Sequence, residues 1–79
     1  MQVKITKEAE GCAVSCQEIG RRVRVRLVKV STREWRLIPQ RWEHGLWAPR
    51  EAIGTQPSQA QAFVQAGAFL QSIKEMTGE

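Results

Sequence analysis

Cys12, Cys16 and His44 are the side chains of this 79-residue chain best suited to covalent or metal chemistry. A thiol beside an imidazole makes a nucleophile pair, so Cys16 with His44 is the arrangement to weigh for catalysis. Nothing local supports it, and Glu43-His44-Gly45 has the composition of a turn, where a histidine is ordinarily solvated. A zinc site needs two ligands beyond the cysteines, and only His44 is available. On one strand Cys12 and Cys16 share a face at a separation of about 13 Å, whereas a disulfide needs Cα atoms within about 7 Å. A bridge within that strand is excluded, and buried reduced thiols are expected. Glu34 and Glu43 are the remaining pair for acid–base work, but both lie among arginines and are expected to pair with them. Asp, Asn and Tyr are absent, which removes the commonest Mg²⁺ ligand and the usual orienting carboxylate of a hydrolase. No glycine-rich phosphate loop occurs. The chain is expected not to be an enzyme and to hold no cofactor or metal.

Charge is the stronger signal. Nine of the twelve basic residues fall between Arg21 and Arg50, against only Glu34 and Glu43, so this middle third carries a net +7 of the overall +4. A field concentrated in this way attracts polyanions. Within it runs Arg22-Val23-Arg24-Val25-Arg26-Leu27-Val28-Lys29-Val30. Side chains alternate across a strand, so Val23, Val25 and Leu27 point one way and Arg22, Arg24 and Arg26 the other. Arg36 extends the basic row on the next strand, and Arg41 lies further along it. Single-stranded nucleic acid is held by a positive groove with aromatic faces for the bases. Trp42 and Trp47, flanking a turn among Arg41, Glu43 and Pro49, are candidates for those faces, with core packing as the alternative. Trp35, in phase with Leu37, is expected in the core.

The elements that position these residues follow from periodicity and punctuation. Met1–Thr6 reads as a first strand with Val3 and Ile5 on one face, and residues 7–11 as a polar turn ending in Gly11. Cys12, Val14 and Cys16 give a second strand with small inward residues. Ile19-Gly20-Arg21 is the next turn, and the Arg/Val run is the third strand. Its alternation slips at Leu27-Val28, which predicts a bulge there or a strand end covered on both faces. Arg33–Ile38 reads as a fourth strand that Pro39 ends or confines to an edge. Leu46-Trp47-Ala48 is a short fifth. Residues 50–57 read as a linker. Ser58 then suits a helix N-cap, with Gln61 completing an S-x-x-Q capping box. Ala62, Phe63, Ala66, Phe69, Leu70, Ile73 and Met76 repeat on one helical face to about residue 77, where Gly78 can stop the helix. That face suits a lid over the sheet, with a helix–helix dimer contact as the other use.

The order of sheet then C-terminal helix resembles the positive-cofactor-four-like single-stranded-DNA-binding proteins. In that family a Gly-basic-Gly-Ile turn precedes the helix, and Ile53 and Gly54 of Arg50-Glu51-Ala52-Ile53-Gly54 fall near it. The resemblance implies pairing through the helix and a nucleic-acid path along Arg24, Arg26, Arg36 and Trp47.

The expected fold is therefore α+β, a four- to five-stranded antiparallel sheet (about residues 1–49) packed against one long C-terminal helix, in a single domain spanning 1–79. So small a chain buries only about 60% of its unfolded surface, and a homodimer is expected. No apolar run reaches the ~18 residues of a membrane span, and Met1-Gln2-Val3-Lys4-Ile5 lacks a signal-peptide core, so a cytoplasmic address is expected. The expected function is non-catalytic binding of single-stranded nucleic acid through Arg22, Arg24, Arg26, Arg36, Arg41, Trp42 and Trp47. The alternative is a small protein-interaction module, such as a phage or mobile-element inhibitor or accessory protein, docking its basic face on an acidic protein surface.

Overall fold

A computed structural model describes residues 3–8, 10–16 and 23–77, with residues 76 and 77 described by backbone alone. Six strands precede one helix: β1 (Val3–Glu8), β2 (Gly11–Cys16), β3 (Val23–Ser31), β4 (Glu34–Glu43), β5 (Leu46–Pro49), β6 (Gly54–Gln56) and α1 (Gln59–Thr77). The strands form one antiparallel sheet in the order β1-β2-β3-β4-β5, with β6 pairing the other half of β4. The architecture is α+β, as the patterning predicts. The turn at residues 17–22, with Gly20, and the helix stop at Gly78 lie outside the described residues.

Directly opposed residues in an antiparallel sheet share a face, so the register sorts the chain into two sides. Cys12 faces Leu27, Val14 faces Val25, Leu27 faces Leu37 and Val25 faces Pro39. These residues meet α1 through Ala62, Ala66 and Leu70, all fully buried, with Phe63, Phe69 and Ile73 packed around them. The alanines let the helix axis lie close to the sheet, so α1 is the lid on its own sheet. Its start is built as the sequence indicates. Ser58 Oγ accepts the Gln61 N–H at 3.2 Å, and the Ser58 hydroxyl donates to Gln61 Oε1 at 3.1 Å. The reciprocal arm of the capping box thus closes on the serine side chain.

Three local expectations are corrected. The polar segment 7–11 is not all turn, because Lys7 and Glu8 pair with Cys12 and Gly11 as the end of β1. The β3–β4 register runs unbroken from Val23 to Lys29, and the irregularity falls between Lys29 and Ser31. The Leu27-Val28 slip is instead absorbed by the second face, where Val28 is half-buried opposite Arg36. Pro39 does not end its strand, because β4 continues to Glu43. The Pro39 carbonyl accepts the Arg50 N–H at 2.8 Å, so its backbone points toward β5 and β6. Its missing N–H lies on that same side, where the partner strand breaks between Pro49 and Gly54. The break also explains β6, three residues inside the predicted linker. Ile53 N–H bonds Leu37 O at 3.0 Å, and the chain re-enters the sheet there with a shifted register.

Two glycines are required by geometry. Gly45 and His44, with φ of 79° and 53°, make the two-residue β4–β5 turn between Glu43 and Leu46. Positive φ at both positions is the hairpin geometry that matches the twist of the strands. At Gly11, a Cβ would lie 1.9 Å from the Leu27 carbonyl oxygen, so only glycine allows β2 to approach β3 this closely.

Candidate nucleic-acid interface

The side of the sheet away from α1 collects Arg24 and Arg26 from β3, Arg36, Ile38, Gln40 and Trp42 from β4, and Trp47 from β5. The pairs Arg24–Gln40, Arg26–Ile38, Val28–Arg36 and Trp42–Trp47 fix this placement. Of the seven residues singled out from the sequence, five share this face. Arg41 opposes Val23 and Ala48, in phase with Val25 and Leu37, and so projects from the helix side. Arg22 lies outside the described residues.

Arg24 and Arg26 are packed into this face, whereas Arg36 is exposed. Only 16% of the Arg24 side chain is exposed. Its guanidinium carbon sits 4.5 Å from the Trp47 ring centroid, and its Nε donates to Gln40 Oε1 at 2.6 Å. Burial pulls the Arg24 pKa down and nearby Arg26 adds to this, while Glu8 acts in the opposite direction. A guanidinium titrates so far above neutrality that Arg24 stays charged. Arg26 Nε is buried with no hydrogen-bond acceptor among the described residues, so packing holds this side chain more than polar contact does. Ala13, on the same face and opposite Arg26, is only 2% exposed. The aliphatic stems of the neighbouring arginines are suited to cover it.

Each arginine also has an acid. Arg24 lies 3.8 Å from Glu8, Arg26 3.9 Å from Glu10, and Arg36 3.7 Å from Glu34. Glu43 pairs with Arg50, so both glutamates weighed as a catalytic pair are ion-paired with arginines. Contacts of such length at a surface contribute at most about 1 kcal/mol each, and a competing phosphate can displace them.

The tryptophans divide. Trp42 and Trp47 meet edge to face, with centroids 5.1 Å apart and planes at 73°. Trp47 is half-buried and takes Arg24 on its ring, while Trp42 is 43% exposed. Trp42 is therefore the surface available for stacking, and Trp47 is the platform that orients it and Arg24. Trp35 packs against the core from the helix side. Its ring also lines an open depression of about 430 Å³ among Lys7, Lys29, Gly11 and Gln59. Gln40 and Glu8 are parts of this site that sequence reading missed. Their roles come from cross-strand register, and no local motif announces them.

The other reactive groups are placed away from chemistry. Cys12 and Cys16 are buried and form no disulfide. Burial pushes the Cys12 thiol pKa up and Glu8 adds to this, while a hydrogen bond from Gln59 opposes them. His44 is exposed in the β4–β5 turn. Among the described residues no group of three His, Cys, Asp or Glu is placed to hold a metal ion. No described helix is long and apolar enough to cross a membrane. Compared with known proteins, the chain matches no family model, no curated protein and no solved structure.

Proposed function

We propose that this protein is a non-catalytic, cytoplasmic binder of single-stranded nucleic acid, and that the open face of the sheet is its contact surface. The observation that carries this reading is the convergence of Arg24, Arg26, Arg36, Trp42 and Trp47 on the one side of the sheet the helix leaves uncovered. Phosphates replace Glu8, Glu10 and Glu34 beside the guanidiniums, and a base stacks on Trp42. The layout shared with the positive-cofactor-four-like proteins belongs to this reading. Buried, unbridged thiols are in keeping with a reducing compartment.

Fluorescence anisotropy with labelled single-stranded DNA, duplex DNA and RNA at two salt concentrations tests it. Binding should prefer single strands and weaken with salt at a slope of about −0.7 per phosphate contact. Undetectable binding at low salt would remove the proposal.

One observation favours a second reading. Every described arginine of the open face already has a glutamate within 4 Å, and half-buried Ile38 and Val28 interrupt the charge. Such a mixed face also suits docking on an acidic protein surface. A partner retained in a pull-down after nuclease treatment, together with absent nucleic-acid binding, would select it.

A further inference from the structure

The two edges of the sheet are finished differently. β4 is covered along its outer side by β5 and β6, whereas β1 ends the sheet with no strand beyond it among the described residues. Helix α1 packs on β2, β3, β4 and β6. On the helix side of β1, Val3 and Ile5 remain 45% and 55% exposed. A strand edge with free N–H and C=O groups is a template for another strand, and here it carries apolar side chains that are about half exposed.

We propose that a second copy of this chain fills this edge, β1 pairing antiparallel with β1 about a two-fold axis through Thr6. The charges of the strand select the register. Opposed residues must share a face, so a symmetric pair is centred on a residue. Centring on Lys4 sets Lys4 against itself, and centring on Lys7 does the same to Lys7. Centring on Ile5 sets Lys4 against Thr6 and Lys7 against Val3, with no charge complement. Centring on Thr6 sets Lys4 of each copy against Glu8 of the other, twice by symmetry. On the helix side it sets Ile5 of each copy against Lys7 of the other, whose aliphatic stem can cover it, with the two Ile5 side chains as diagonal neighbours. The two open faces then lie side by side in one continuous sheet. This inference is independent of what the open face binds.

Sedimentation velocity over a concentration series tests it on the intact chain. The wild type should show a monomer–dimer equilibrium. Lys4→Glu and Glu8→Lys should each weaken it roughly tenfold or more, since two attractive pairs become two repulsive ones. An equimolar mixture of the two variants should recover the dimer, because every site then meets the opposite charge. Glu8 also contacts Arg24, so thermal melts establish that Glu8→Lys folds. If it does not, Lys4→Glu alone decides: added salt should weaken the wild-type dimer and strengthen that of the variant. A wild type that stays monomeric, or a dimer indifferent to Lys4→Glu, would overturn the proposal.

Discussion

The two sides of β3 are built by the same alternation and stabilised by different physics. On the helix side Val25 and Leu27 are fully buried, and their positions are dictated by apolar contact with α1 and β4. On the open side Arg24 and Arg26 are also largely covered, at 16% and 30% exposure. Around Arg24 lie the Trp47 ring, Gln40 and Glu8, and Arg26 has Glu10. Arginine on a small sheet is thus both packing material and charge. Counting positive residues overstates how much of that charge is free, since Arg24, Arg26 and Arg36 are each partly answered by an acid.

Truncation on the apolar side is the largest perturbation. Leu27→Ala empties the centre of the core and should cost about 2–5 kcal/mol, enough to leave so small a domain largely unfolded in urea titrations. Gly11→Ala strikes where the two sides meet, because the new methyl group collides with the Leu27 backbone. A loss of about 1–3 kcal/mol is expected, and an unchanged denaturation midpoint would show that β2 can retreat from β3.

On the open side, Trp42→Ala should cost about 0.5–1.5 kcal/mol of stability through the lost edge-to-face contact with Trp47 and reduce single-strand affinity by about 1–3 kcal/mol, read by anisotropy. Arg24→Ala should act on both. Removing its contact with Trp47 costs about 0.5–2 kcal/mol of stability as well as affinity, whereas Arg36→Ala should reduce affinity alone. If Arg24 and Arg36 proved interchangeable, the distinction between packed and available arginines would fail.

The smallest effect is one of pH. The folded Cys12 pKa is raised above the ordinary thiol value of 9.0, so the unfolded chain loses this proton first. The resulting stability is fully present below about pH 9 and declines as pH climbs toward the folded value. Denaturation at rising pH should therefore show a slightly shallower decline in Cys12→Ala than in the wild type.

Much of this was legible in the residues. The 1-3-3 spacing from Ala62 to Ile73, the serine cap and the Arg/Val alternation each follow from a periodicity that only one element satisfies, and those elements are present. What could not be read was set across strands. The Pro39 ring ends a strand only if its missing N–H faces a needed partner, and here it faces a gap. The tripeptide Gly54-Thr55-Gln56 has no apolar alternation to mark it, and only the neighbouring β4 makes it a strand. Arg41 has the composition of its basic neighbours, but its position in register sends it to the other side. Gln40 and Glu8 join the arginine network from separate strands, and no sequence spacing encodes that distance.

The topology has a consequence for how the molecule assembles. Strands β1 to β5 each lie beside their neighbours in the chain, so the sheet grows by closing short loops, such as the two-residue turns Thr32-Arg33 and His44-Gly45. Only the final segment reaches back, through β6 onto the first half of β4 and through α1 onto β2 and β3. Local closure is fast and long-range closure slow. A refolding chain should therefore acquire strand signal before the helix docks, and Trp35, beside β6 and under the start of α1, should report that last event by its fluorescence.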